Sequence, residues 1–496
     1  MTRPLIRAQR RPLSFLAAGL CAVLAGCVHA PSVDGVAGVS PAPETPWTPP
    51  RRAVDTTGAA PATPIPADLA ERVRSLTLTD IIDVALRNNP TTRIAWANAR
   101  AAAAAYGSRK GQYYPTIDGD VTATRLKTVA SSGRSAVEQT VYNPSVSISW
   151  LLLDFGGRSG SIGAARQALL AADWTHDATL QNVVLGVESA YFDYMATKGL
   201  LVAQQTTLQE AQQNLKAAQE RQRVGLATIA DVLQARTAAS QAQLDVETTE
   251  GTLQTTRGAL AVSMGLPANL PYDVQPPDTA SPVGRVSESV DSLIARAVLA
   301  RPDLAAAEAQ YEQARAGIAS ARAERLPSLS LSGNVGQTYL NPNRGGGSSY
   351  TLSLGLRIPL FAGFSRAYDE MQARAEADAA AARLDALRQQ VVFQVFSSYH
   401  TLLTATRRVR TADDLLASAT ESEQVALGRY KAGVGSVLDL LTAQSALASA
   451  RAQQVQARWI WRTALAQLAH DTGVLDMSGG SPLPLAPATT DTMPPR

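Results

Sequence analysis

Two periodicities occur along this chain, and each occurs twice. Around residue 120, Ile117, Gly119, Val121 and Ala123 alternate with Asp118, Asp120, Thr122 and Thr124. A return run sets Val146, Ile148, Trp150 and Leu152 against Ser145, Ser147 and Ser149. Alternation with period two predicts strands with one apolar and one polar face. The pattern returns near residue 340, with Leu329, Leu331 and Val335 against Ser328, Ser330 and Asn334, then Tyr350, Leu352, Leu354, Leu356 and Ile358 against Thr351, Ser353 and Arg357. Asn341 to Ser349, rich in Gly and Ser, reads as the loop between them. After each strand pair the spacing changes to three and four, through Val184, Val187, Tyr191 and Tyr194, and again through Leu384, Leu387, Val391, Val395, Tyr399 and Leu402. No Pro interrupts Ser159 to Arg223, so a helix of roughly 65 residues, about 100 Å long, is expected there. Such a helix needs coiled-coil neighbours along its length. Partner helices over about 228–264 and 436–472 follow turns at Gly225 and Gly433.

The duplication holds register. Pro302 lies 212 residues beyond Pro90, and Pro327 lies 212 beyond Pro115. Arg366, Tyr399, Gly433, Asp439 and Gly473 each lie 208 beyond Arg158, Tyr191, Gly225, Asp231 and Gly265. The change of four falls between Pro115 and Arg158, where the first copy has a longer loop. Each copy therefore reads helix, β-hairpin, long helix, turn, long helix. Four strands cannot close a barrel, since the smallest need roughly eight. A polar face carrying Asp118, Asp120 and Arg357 opposite a Leu- and Trp-bearing face suits a membrane barrel with a wet lumen. Subunits would share it, and three copies would supply twelve strands.

Composition fits slender helices. Aromatics make up only 5% of the 496 residues, and the interior stretches are rich in Ala, Gln, Arg and Glu. The formal charge of +3 includes Arg3, Arg7, Arg10 and Arg11, which precede an apolar run from Leu13 to Leu24. That run has the order and length of a signal peptide and is too short to span a bilayer permanently. It ends in Leu24-Ala25-Gly26-Cys27, the pattern of a bacterial lipoprotein site, so residues 1–26 are expected to be removed and Cys27 acylated. From Cys27 onward the chain carries one net negative charge, which argues against nucleic acid as partner. Cys21 leaves with the leader, so no disulfide within the mature chain is expected. Val28, in place of the Asp common in inner-membrane lipoproteins, points to the outer membrane. Pro, Ala and Thr then dominate a lipid-anchored tether over 27–75. The expected organisation continues with a first repeat over 76–267, a linker over 268–288, a second repeat over 289–475 and a disordered tail over 476–496.

Two β-hairpins, two long α-hairpins and an internal duplication resemble the TolC-like outer-membrane efflux proteins, over about residues 76–475. The turn runs Arg221-Gln222-Arg223-Val224-Gly225 with Asp231-Val232-Leu233-Gln234-Ala235-Arg236, and Arg429-Tyr430-Lys431-Ala432-Gly433 with Asp439-Leu440-Leu441-Thr442-Ala443-Gln444, are similar to that family's periplasmic tip. Leu299-Ala300-Arg301-Pro302-Asp303-Leu304 with Glu308 resembles the lipid-anchored branch serving resistance-nodulation-division pumps. Leu153-Asp154-Phe155-Gly156-Gly157-Arg158 looks closer to branches that include exporters of proteins and metals.

The resemblance implies an α+β membrane protein: a homotrimer whose twelve-stranded barrel in outer-membrane lipid continues into a periplasmic α-helical barrel. Its tip would meet a periplasmic adaptor and, through it, an inner-membrane pump of the resistance-nodulation-division type. It further implies that Tyr430 bonds to Asp231 in the closed state and that Asp439 lines the constriction. Arg221, Gly225, Arg429 and Gly433 would form the adaptor-contacting tip. Two departures accompany this: the expected base beyond Gly433 is Gly435, and the acid expected beyond Asp439 is Thr442. The alternative for both Asp231 and Asp439 is a first-turn acid favoured by the helix dipole. Alternative functions are the outer-membrane duct of a type I protein secretion system and a periplasmic adaptor. Adaptors, however, carry one helical hairpin rather than two.

Catalysis, a cofactor and a metal are not expected. His29, His176, His400 and His470 are scattered singly, and no Ser lies in a Gly-x-Ser-x-Gly elbow. Gly345-Gly346-Gly347 sits in a polar turn, not before the helix a phosphate-binding loop requires.

Overall fold

The computed structural model describes residues 42–46, 76–129, 136–276, 284–341, 345–475 and 485–487. The expected leader, the expected acylation site at Cys27 and most of the expected 27–75 tether and 476–496 tail lie outside them. The first repeat comprises α1 (Leu78–Asn88), α2 (Pro90–Gly111), β1 (Thr116–Val129), β2 (Ala136–Leu153), α3 (Gly157–Arg223) and α4 (Ile229–Ser263). A short β3 (Gly284–Val286) follows. The second repeat comprises α5 (Val290–Ala300), α6 (Pro302–Ala323), β4 (Ser328–Asn341), β5 (Gly346–Arg357), α7 (Ser365–Lys431) and α8 (Val437–Asp471). Lengths match copy for copy: α3 and α7 each have 67 residues, and α4 and α8 each have 35.

Pro90 and Pro302 each take the first position of a helix, where a missing N–H costs nothing. Asn89 caps the first of these, its side chain accepting from Thr91 N–H at 2.8 Å. Two findings depart from the compositional reading. Gly346 to Ser349 are paired strand rather than loop, opposite Tyr339 to Gly336. Gly346 permits this because a Cβ there would collide with the Thr338 carbonyl oxygen. Within the expected tail, Leu485–Pro487 form β6, antiparallel to β3.

The strands form one antiparallel sheet in the order β1-β2-β4-β5, so the hairpins join along β2 and β4 and leave β1 and β5 as edges. The main core lies midway along the long helices. There Leu180, Val184, Val187 and Tyr191 of α3 pack with Val391, Val395 and Leu402 of α7, and the ends of α4 and α8 contribute Leu260, Met264, Trp461 and Leu468. Short helices α1 and α5 close it with Ile81, Ile82 and Leu293. The buried Tyr191 hydroxyl donates to Gln275 O at 2.9 Å. Farther along, contacts shrink to small clusters such as Ala211, Ala239 and Ala242 on α3 and α4, or Ala419, Leu447 and Ala450 on α7 and α8. Small side chains let these helices approach closely. The two α-hairpins are bridged by Arg451 of α8, which donates to both Glu210 oxygens of α3 at 2.8 and 3.0 Å.

Both strand-to-helix junctions use two consecutive left-handed residues, Phe155 (φ 48°) with Gly156 (φ 108°) and Gly363 (φ 60°) with Phe364 (φ 65°). The copies thus share a backbone bend, but the glycine occupies opposite positions. Each Phe carries a left-handed strain of roughly 1–2 kcal/mol. In the first copy Arg158 locks the bend. Its guanidinium donates to Leu151 O at 2.5 Å and Leu152 O at 3.1 Å, and its N–H donates to Asp154 Oδ2 at 2.6 Å. In the second copy Glu370, near the start of α7, accepts from Arg322 at the end of α6, from Arg325 just beyond it and from Arg374 of α7, joining those two helices.

Candidate functional site

The sheet segregates its two faces across all four strands. One face carries Ile117 opposite Ile148, Ile148 opposite Gly333 and Gly333 opposite Leu352. The next row runs Gly119, Val146, Val335, Tyr350. Trp150, Leu331 and Leu354 continue it, and a register shift between Leu151 and Leu153 makes Leu153 rather than Leu152 the partner of Leu329. The other face aligns Asp118, Ser147, Asn334 and Thr351, then Asp120, Ser145, Gly336 and Ser349. Pairing in register multiplies the alternation of each strand into a continuous apolar surface.

That surface is bare. Tyr350 is 84% exposed and Leu352 73%, and Ile117, Val121, Leu354 and Leu356 are also exposed. From Tyr350 to Arg357, the end of β5, the strand advances about 24 Å, or about 18 Å in height at a typical barrel tilt, most of the ~25 Å apolar band of an outer-membrane barrel. Among the described residues no helix is long and apolar enough to cross a membrane. The bare apolar row of the sheet has the side-chain chemistry of a lipid-facing barrel surface. Among the described residues the sheet's edges β1 and β5 leave a row of backbone groups unpaired, which hydrocarbon cannot satisfy.

At the far end of the long helices the two turns are copies. Gly225 (φ 80°) and Gly433 (φ 78°) adopt the left-handed conformation that ends each helix. Leu226 N–H then donates to Arg221 O at 2.7 Å, and Val434 N–H to Arg429 O at 3.0 Å. Thr228 and Ser436 start the returning helices with capping boxes closed by Asp231 and Asp439. Asp231 Oδ2 accepts from Thr228 N–H at 2.8 Å and from its hydroxyl at 2.9 Å; Asp439 Oδ2 accepts from Ser436 N–H at 3.3 Å. The Thr-x-x-Asp and Ser-x-x-Asp spacing is a sequence signal for this role.

Tyr430 is buried against Val437 and Leu440, and its hydroxyl has no hydrogen-bond partner within the described chain, so no bond joins it to Asp231 there. Arg221 contacts it instead. The guanidinium lies 4.5 Å over the Tyr430 ring and donates to Tyr430 O at 2.8 Å and Lys431 O at 3.5 Å. Arg221 on α3 therefore caps the last carbonyls of α7 and ties one helical hairpin to the other. Arg429 is exposed on the outside of its turn. The turns also carry exposed apolar side chains, Val224, Leu226 (74%), Ile229, Val434 and Leu438. Sequence reasoning passed over these because they flank glycine turns, outside any periodic stripe.

One further group was not anticipated. Asp173, His176, Asp177 and Glu188 are buried on α3. Burial, and then the Asp177 charge, pushes the Asp173 carboxyl up to about 8, and among the described residues both its oxygens lack partners. Burial raises Glu188 to about 7. The His176 Nε2–H donates to Pro43 O at 2.8 Å, fastening residues 42–46 to the helix. Among the described residues no group of His, Cys, Asp and Glu is arranged to hold a metal.

Comparison with known proteins adds to this geometry. A family model described as outer membrane efflux protein matches residues 81–266 and 293–474. The chain is 32% identical over 389 residues to protein CyaE of Bordetella pertussis, covering 78% of this chain and 81% of that one. It is 25% identical over 412 residues to the probable efflux pump outer membrane protein TtgC of Pseudomonas putida, covering 81% and 83%. Its fold matches the Campylobacter jejuni CmeC outer membrane channel with a TM-score of 0.71 at 20% identity, covering 82% of this chain and 87% of that one.

Proposed function

The chain belongs to the outer membrane efflux protein family, and from that premise we infer that it is the outer-membrane exit duct of a tripartite efflux system. Three copies share a twelve-stranded barrel in the outer membrane, and their α-hairpins form a tunnel into the periplasm. The observation that carries this reading is the four-stranded sheet with a bare apolar face and two open edges. Such a sheet is stable in lipid only when neighbours pair its edges. Its polar face, with Asp118 and Asp120, lines a wet lumen. At the other end the exposed turns bearing Leu226 and Val434, with Arg429 and the turns at Gly225 and Gly433, are the surface offered to a periplasmic adaptor. An inner-membrane pump of the resistance-nodulation-division type supplies the energy.

In the closed duct Asp231 and Tyr430 bond between neighbouring hairpins, and Asp439 lines the constriction. The unpartnered Tyr430 hydroxyl supports the first of these, since a buried hydroxyl is normally satisfied. Acylated Cys27 tethers each subunit to the membrane. A second reading, a duct for type I protein secretion, rests on Leu153-Asp154-Phe155-Gly156-Gly157-Arg158, where Asp154 and Arg158 build the junction lock.

Retention of a fluorescent efflux substrate tests the function. Cells lacking this chain but retaining the pump should hold the dye, and a plasmid copy should restore its loss. Equal dye loss with and without the chain would remove small-solute efflux from the account and leave protein secretion as the reading to pursue.

A further inference from the structure

The joint between the two hairpins of one chain predicts the joint between chains. Resting on the shared barrel proposed above, we infer that β5 of one subunit pairs with β1 of the next in the register of the β2–β4 joint. This pairing sets Arg357 directly opposite Asp120 of the partner subunit.

The derivation uses only the internal repeat. Ile117 pairs with Ile148 in the first hairpin and Leu329 with Leu356 in the second, so β4 repeats β1 at 212 residues and β5 repeats β2 at 208. Ser149 pairs with Ser332 where the hairpins meet. The equivalent of Ser149 is Arg357, and the equivalent of Ser332 is Asp120. In the same way Ser147 with Asn334 yields Gly355 with Thr122, Val146 with Val335 yields Leu354 with Ala123, and Tyr142 with Tyr339 yields Tyr350 with Lys127.

Two independent features agree with this register. The derived pairs keep the alternation, with Leu354 and Ala123 both apolar-side and Arg357 and Asp120 both lumenal, while Lys127 opposite Tyr350 lies past Ala123 where that face of β1 turns charged. A slip of one residue would bring apolar residues into the lumen. The charges also fit. Asp120 lies opposite Ser145 and Arg357 opposite Ser328 within the chain, and neither makes an ion pair among the described residues. Asp118, the diagonal neighbour of Arg357 in this register, is likewise without an ion pair. The edges thus carry opposite charges that one chain leaves unused, and joining copies unites them once at each seam.

Paired cysteines read the register directly, because the chain's own cysteines, Cys21 and Cys27, both precede the fold. Along an antiparallel joint, pairs alternate between Cα separations of about 5.5 and 4.5 Å. One of the neighbouring pairs Leu354→Cys with Ala123→Cys and Gly355→Cys with Thr122→Cys therefore falls within disulfide reach. A two-residue offset leaves about 7–8 Å, beyond that reach. Mild oxidation of the matched variants should give covalent trimers as the main product. Leu354→Cys combined with Val121→Cys or Arg125→Cys should give little, as should single cysteines.

Charge reversal gives a second readout. Arg357→Asp and Asp120→Arg should each lower the yield of heat-resistant trimer, and the two together should restore it. Trimers that cross-link mainly through an offset pair, or a swap that restores nothing, would overturn the inference while leaving the shared barrel intact. Native particles that never exceed one chain would overturn the shared barrel itself and the seam with it.

Discussion

Removing the Arg221 guanidinium should loosen the tip. In each subunit it makes a 2.8 Å bond to Tyr430 O, a marginal 3.5 Å contact to Lys431 O and a stack 4.5 Å from the Tyr430 ring. A hydrogen bond from a charged donor contributes about 1.5–3 kcal/mol, and the stack about 0.5–1 at a partly exposed site. The longer contact adds little at that distance. Allowing for solvent screening, about 2 kcal/mol per subunit is reasonable, or about 6 kcal/mol if all three clamps release together. With each 1.4 kcal/mol worth a factor of ten, opening would shift by up to about 10⁴. Arg221→Ala should therefore raise conductance in planar bilayers. Arg221→Lys should fall between it and the parent protein, because an ammonium keeps one bond but loses the planar stack and second donor. Tyr430→Phe with Asp231→Ala reports separately on the proposed bond between neighbouring hairpins. Wild-type conductance in Arg221→Ala, at normal trimer yield, would refute the clamp.

The buried carboxyl of Asp173 predicts a pH dependence. In the fold it holds its proton up to about pH 8, whereas the unfolded chain releases it near the ordinary value of 3.8. Its contribution is full below pH 4 and is lost as pH rises through 8, so Asp173→Asn should flatten the fall in thermal midpoint across that window; an unchanged slope contradicts this. Cys27→Ser should abolish palmitate labelling while the protein still reaches the outer membrane, since the strands bury apolar surface there on their own; equal labelling of both forms removes the anchor. Asp439→Asn should weaken cation preference if, as proposed, three Asp439 carboxylates line the constriction; unchanged reversal potentials in a salt gradient would place Asp439 in helix capping alone.

Much of the fold was legible because the chain states it twice. Ile117 to Ala123 and Leu329 to Val335 show the same alternation, and an uninterrupted run from Ser159 to Arg223 can only be a long helix. Pairing between copies was not legible, since alternation assigns faces but not neighbours. Ser149 meets Ser332 only after both hairpins have folded. The strand role of Gly346 and Ser349 was hidden by composition, because glycine and serine suit a loop as well as a ladder. At the tip, sequence singled out Asp231, Tyr430 and Asp439 but not how they are held. The capping boxes follow from Thr228 and Ser436 three residues upstream, a signal present in the sequence. The Arg221–Tyr430 contact joins residues about 200 positions apart, and only the side-by-side packing of the two α-hairpins brings them together. The burial of Asp173 and His176 was not legible for the opposite reason. Polar residues on a long helix normally face water, and His176 meets Pro43 O, a residue 133 positions away that no periodicity connects to it.

The native mass of the detergent-extracted particle tests the central claim most directly. Four strands per chain with two open edges require neighbours, so the account predicts a particle of three chains with no folded monomer persisting on dilution. A stable, folded single chain would contradict the shared barrel.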